Sequence, residues 1–67
     1  MIYYYHLCAM FKNNVFDGLL TRTTPILTYA DYMEVKIEVS KQMNLHGKED
    51  HKRVVIQNLS LLHKESL

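Results

Sequence analysis

Cysteine occurs once, proline once and glycine twice in this chain of 67 residues, and each scarcity removes a class of function. A single thiol, Cys8, forms no internal disulfide, which excludes the cross-linked secreted scaffolds and fits a reducing, cytosolic setting. Two isolated glycines, Gly18 and Gly47, cannot build the glycine-rich loop that cradles a phosphate. Charge of one sign is also missing, since 8 Lys+Arg meet 7 Asp+Glu for a net charge of +1. A nucleic-acid binder of this size carries a basic stripe. Here Lys48, Lys52 and Arg53 form the one local concentration, and Glu49 and Asp50 interrupt it. No apolar run is long enough to span a bilayer. Met1 to Phe11 is apolar but lacks the positive flank and small-residue cleavage site of a secretory signal. It reads as a strand, and the chain as cytoplasmic.

What is present is a globular composition, 48% hydrophobic and 22% charged, which argues against disorder. A chain this short forms one domain, 1–67, and buries only roughly 60% of the surface its unfolded form exposes. Small domains offset so thin a core with disulfides, a metal or a partner, and the first of these is excluded.

The first 24 residues read as a β-hairpin. Ile2 to Lys12 is rich in Tyr, Leu and Phe and free of Gly and Pro. Asn13-Asn14 suits a two-residue turn because Asn tolerates positive φ. Centring the loop there sets Phe11 opposite Phe16, Ala9 opposite Gly18, Leu7 opposite Leu20 and Tyr5 opposite Arg22. The Ala9/Gly18 pair would form a notch for a helix backbone. The other face carries Tyr4, His6, Cys8, Met10 and Leu19. Pro25 lacks an N–H and ends the second strand.

A helix is expected over 28–45. Thr28 is a good N-cap, Asp31 completes a variant of the capping box, and Gly47 suits the position after the helix end. Tyr32, Val35, Val39 and Met43 share a stripe, with Glu34, Glu38 and Lys41 opposite. Residues 53–62 return to strand composition. There Val54 and Ile56 fit one face while Val55, Leu59 and Leu61 fit the other, and a bulge near Gln57-Asn58 would place apolar groups on both sides. The register of this strand stays open. The order β-β-α-β predicts a two-layer α+β domain: a three-stranded, mainly antiparallel sheet in the order 2-1-3, with one helix on one face. Strand 1 takes the centre because it is apolar on both faces. The expected core is Leu7, Ala9, Phe11, Phe16, Leu20, Tyr32, Val35, Val39, Met43 and part of strand 3.

Chemistry-bearing constellations are sparse. Cys8 and His6 share a strand face, but residues two apart on a strand lie roughly 6.5–7 Å apart at Cα, and no third group orients them. A lone strand cysteine is more often a small buried hydrophobe. His6, His46, His51 and His63 match no zinc spacing. Tyr4 beside His6 resembles a base-stacking platform, but Tyr3 and Tyr5 turn to the other face and no basic surround accompanies it. No catalytic, cofactor or metal site and no small-molecule substrate is therefore assigned.

One helix covers one face of three strands, which leaves an apolar surface of Tyr4, His6, Cys8, Met10 and Leu19. Met33 and Ile37 form a second apolar feature off the core stripe of the helix. Patches of this kind mark interaction sites. The sequence thus predicts a non-enzymatic protein–protein interaction module, a homodimer or a phage- or prophage-type accessory protein binding a host protein. The alternative is a small nucleic-acid-binding accessory protein using Tyr4, His6 and the Lys48/Lys52/Arg53 cluster.

Overall fold

A computed structural model describes residues 1–66 of the chain. Two strands, β1 (Ile2–Phe11) and β2 (Asn14–Arg22), form the hairpin. Helix α1 (Tyr29–Gln42), a single helical turn α2 (Asp50–Arg53) and strand β3 (Val55–Glu65) follow. The sheet has three strands in the order β2-β1-β3, both pairings antiparallel, and α1 covers one face. The α+β, 2-1-3 architecture is the one the alternation of residues implied. No described helix is long and apolar enough to cross a membrane.

The hairpin turns one residue earlier than its asparagines suggested. Lys12 and Asn13 occupy the turn, and Phe11 pairs with Asn14, Ala9 with Phe16, Leu7 with Gly18 and Tyr5 with Leu20. Lys12 takes φ 55, a left-handed conformation that costs a non-glycine residue about 1 kcal/mol. The Phe16 ring lies over Gly18, where an added Cβ would sit 3.2 Å from the ring tip. The expected notch for the helix is therefore filled by Phe16, and Ala9 leaves room beside that large ring. Each β1 residue is displaced by two partners, so no side chain changes face; a displacement of one would have turned β2 inside out.

Tyr5, Leu7, Ala9, Phe11 and Leu20 from the hairpin meet Val35 and Val39 of α1 and Val54 before β3 in one buried core. Phe16 and Met43 pack partly buried at its margin, and Tyr32 is half-buried. Tyr5 joins the core beyond the expected set, Val54 is the contribution of the third-strand segment, and the expected Tyr32 stays outside it. The Tyr5 hydroxyl accepts the Ile26 N–H at 3.1 Å, so this buried ring also fastens the β2–α1 loop, in which Pro25 sits.

The start of α1 follows its capping signal. Thr28 Oγ1 accepts the Asp31 N–H at 3.1 Å, and the Asp31 carboxylate accepts the Thr28 and Leu27 N–H groups at 3.0 Å. Those two backbone donors, with the Thr28 hydroxyl and the Arg22 guanidinium, hold the Asp31 carboxyl below the usual aspartate range. The helix end differs from expectation. It stops at Gln42, and Asn44, not Gly47, takes the left-handed position at φ 59. Leu45 N–H reaches Ser40 O and Asn44 N–H reaches Lys41 O, both at 3.0 Å, the paired bonds of a Schellman closure. That closure lets Leu45 fold back against the core. Gly47 serves the next turn instead. Its N–H donates to Asp50 Oδ2 at 2.9 Å, and any Cβ there would lie 2.6 Å from the same carboxylate.

Strand β3 begins after α2 and extends to Glu65, later than the expected 53–62. Its pairing with β1 slips twice. Cys8 opposes Asn58 and Ala9 opposes Ile56, leaving Gln57 unmatched; Tyr4 opposes His63 and Tyr5 opposes Leu61, leaving Leu62 unmatched. The first bulge lies where the sequence suggested one, with a different result. It brings Leu59 opposite Leu7 on the helix side, so Ile56 and Leu59 both pack against the core; of Val55, Leu59 and Leu61, some of which were expected on the open face, Val55 alone lies there.

Candidate functional site

The face of the sheet away from α1 has no covering element among the described residues. Alternation along β1 sends Tyr4, His6, Cys8 and Met10 to it, and the pairings add Val15, Asp17, Leu19 and Thr21 from β2 and Val55, Asn58, Ser60 and His63 from β3. All five sheet residues singled out from the sequence therefore lie on this face. Leu19 is 66% exposed, Val15 60% and Val55 59%, whereas Tyr4, His6, Cys8 and Met10 on the central strand are half-buried by their neighbours. Met33 and Ile37 do not join them. Val35 and Val39 of the same helix point into the core on the other side of the sheet, which puts Met33 and Ile37 on the far layer of the molecule.

A connected polar chain crosses the middle of the face, running through all three strands. His6 Nε2 lies 2.7 Å from Asp17 Oδ1 on β2, and His6 Nδ1 lies 3.1 Å from the Asn58 amide nitrogen on β3. Ser60 Oγ donates to Asn58 Oδ1 at 3.3 Å, which orients the amide so that its N–H₂ faces the ring. A ring that accepts at Nδ1 carries its proton at Nε2 and donates it to Asp17. Each member thereby has at least one partner within the chain. At one end of the face Tyr4 stacks on His63, ring centroids 5.8 Å apart.

This geometry answers the Cys8–His6 dyad directly. An orienting carboxylate does exist, Asp17, which the sequence-based pairing had placed beside Met10. The thiol, however, donates to Gln57 Oε1 at 3.5 Å, and both imidazole nitrogens are occupied by Asp17 and Asn58. The His6 ring has no lone pair free to take the Cys8 proton in this arrangement. Among the described residues no group of three or more His, Cys, Asp or Glu side chains could hold a metal ion. Of the basic cluster, Lys52 pairs with Glu49 at 2.6 Å, and the cluster belongs to the α2 turn, outside the sheet.

A shallow cavity of about 380 Å³ opens at the end of the sheet where β1 begins and β2 ends, lined by Ile2, Thr21, Arg22, Thr23, Thr24 and Glu34. Its guanidinium is already engaged: Arg22 donates to Thr24 O and Oγ1 at 3.1 Å and lies 3.7 and 3.6 Å from the Asp31 and Glu34 carboxylates. These contacts tie the end of β2 to the start of α1 and leave little positive charge for a ligand. Asp17, Gln57, Asn58 and Ser60 are the site residues that sequence reasoning missed. Only the register of β3 reveals three of them, and alternation alone does not supply it.

No protein-family model, no curated protein and no solved structure matches this chain.

Proposed function

We propose that this chain is a small, non-enzymatic protein–protein interaction module whose working surface is the uncovered face of the sheet. The observation that carries the reading is the make-up of that face. Exposed Val15, Leu19 and Val55 flank a polar chain, Asp17–His6–Asn58–Ser60, in which each side chain is bonded to the next. An unpaired polar group at an interface loses its water without compensation, at about 1–3 kcal/mol each. The bonds along the chain reduce that penalty at His6, Asn58 and Ser60, and the second oxygen of the exposed Asp17 carboxylate is left for a donor from the partner. Three strands about 4.8 Å apart and some nine residues long at about 3.3 Å each give a footprint of roughly 400 Å². Within it the apolar Met10, Val15, Leu19 and Val55 lie beside the polar chain, the mixed composition of protein docking surfaces. The thin core, whose largest fully buried side chains are Leu7, Val35, Val39 and Val54, gives the partner a second role, because binding to the native state stabilises it.

A phage- or prophage-type accessory protein that docks on a host protein is the biological class that fits this description, and the neighbouring genes test it. The surface itself is tested by affinity capture with wild type and with Tyr4→Ala and Leu19→Asp. A protein retained by wild type and lost with both variants supports the face as the docking site. Equal recovery with both variants rejects it. A salt-dependent mobility shift with single-stranded DNA or RNA at low salt would instead favour nucleic acid as the occupant.

A further inference from the structure

We infer that the free edge of β3 pairs with the same edge of a second copy of this chain, about a two-fold axis through Ser60. The argument starts from which backbone groups the edge offers. The two-residue turn closes on Phe11 and Asn14, which makes that pair the hydrogen-bonded kind, and the two kinds alternate along an antiparallel ladder. Phe11, Ala9, Leu7, Tyr5 and Tyr3 thus direct their N–H and C=O toward β2, and Met10, Cys8, His6 and Tyr4 toward β3. On β3 the partners of that second set, Val55, Asn58, Ser60 and His63, point inward. Ile56, Leu59, Leu61 and Lys64 are left with N–H and C=O groups directed out of the sheet.

Those outward positions are a palindrome. Leu59 and Leu61 lie one residue either side of Ser60, and Ile56 and Lys64 lie four either side. The bulges preserve the symmetry, since Gln57 lengthens the interval from Ile56 to Leu59 and Leu62 lengthens the interval from Leu61 to Lys64 by the same one residue. A dimer with two-fold symmetry needs a surface complementary to itself. Here each outward residue meets an outward residue of the other copy: Leu59 with Leu61, Ile56 with Lys64, and the reverse. The two lengthened intervals are what a regular strand lacks and a second copy supplies at matching distances from the axis, so the occupant is a second copy.

Composition agrees. Edge strands are protected from pairing by charge or proline; β3 has no proline, and its charges, Lys64 and Glu65, lie at its end, with none from Val55 to Leu62. The opposite edge, β2, carries Asp17 at its centre, followed by Gly18. The axis of an antiparallel pair stands perpendicular to the sheet, so both helices lie on one side and the two uncovered faces merge into one. Ser60 meets its symmetry mate as a non-hydrogen-bonded pair, with Cα atoms about 4.5 Å apart. The two polar chains then end side by side at the axis, each Ser60 hydroxyl keeping its bond to its own Asn58.

Sedimentation of the full chain over the micromolar range tests the pairing, with a species of twice 7.9 kDa expected for wild type. Leu61→Pro removes an outward N–H at an edge position where proline is tolerated, and it is expected to sediment as a folded monomer by circular dichroism. Leu61→Thr keeps the N–H and the dimer. The axis is tested separately with Cys8→Ser/Ser60→Cys, which should form an intermolecular disulfide at least about tenfold faster than Cys8→Ser/Gln57→Cys, because only position 60 lies within disulfide reach of its mate. A monomeric wild type, a dimeric Leu61→Pro, or equal cross-linking at 57 and 60 overturns the proposal; if Leu61→Pro does not fold, the cross-linking ratio decides. Leu19→Asp, which disables the face, is expected to leave this dimer intact, so the edge and the face fail independently.

Discussion

The two faces of the sheet are built from the same three strands, and they owe their order to different interactions. Toward α1, Leu7 and Ala9 are fully buried beside Val35 and Val39, and non-directional apolar contact holds them. Away from α1, His6 is ordered by hydrogen bonds to Asp17 and Asn58 in the presence of solvent. Adjacent residues of one strand therefore belong to two regimes. Area removed from water dominates the first, and directional bonds with a small net free energy dominate the second.

The sharpest test of that contrast compares two leucines. Leu7→Ala empties a fully buried site and should lower unfolding free energy by about 3 kcal/mol in urea titration, whereas Leu19→Ala should change it by less than about 0.5 kcal/mol. Comparable losses would erase the distinction between the faces. Neighbouring tyrosines come next. Tyr5→Phe strands the Ile26 N–H and should lose about 1 kcal/mol, while Tyr4→Phe keeps its stack on His63 and should fall within about 0.5 kcal/mol of wild type.

Asp17→Asn probes the polar chain itself. The His6–Asp17 pair is well exposed, so removing the charge should shift stability by less than about 1 kcal/mol; a loss of 2 kcal/mol or more would show that this face helps hold the fold. The smallest effect concerns acid. Asp31 is held below its ordinary range in the folded state, so its stabilisation is complete above the unfolded aspartate pKa and is lost as pH falls through the folded value. Asp31→Asn should therefore flatten the dependence of stability on pH within that window. An unchanged acid slope would mean that other carboxylates govern it.

Much of this was legible in the residues, for reasons that differ from element to element. Period-two alternation assigned every hairpin side chain to its face, because a face depends on parity and survives an error of two in the pairing. The turn itself was misplaced because turn chemistry favours Asn-Asn, whereas the chain puts its left-handed residue at Lys12 and turns through Lys12-Asn13. The capping box at Thr28 was readable because it is local. Asn44 was not, since the helix ends where Leu45 can reach the core, and that is a tertiary condition. The polar chain was hidden for the same reason: it needs Asn58 and Ser60 beside His6, and the Gln57 bulge places them there.

Those bulges carry a consequence for the gene. A bulge residue is the one position in a strand whose codon can be lost without turning any other side chain over. Descendants lacking the codon for Gln57 alone, or for Leu62 alone, should keep the core and the polar chain while their β3 edges no longer match in length. Loss of both codons restores equal intervals about Ser60. A lineage that relies on two copies meeting edge to edge would then shed these two codons together or keep both.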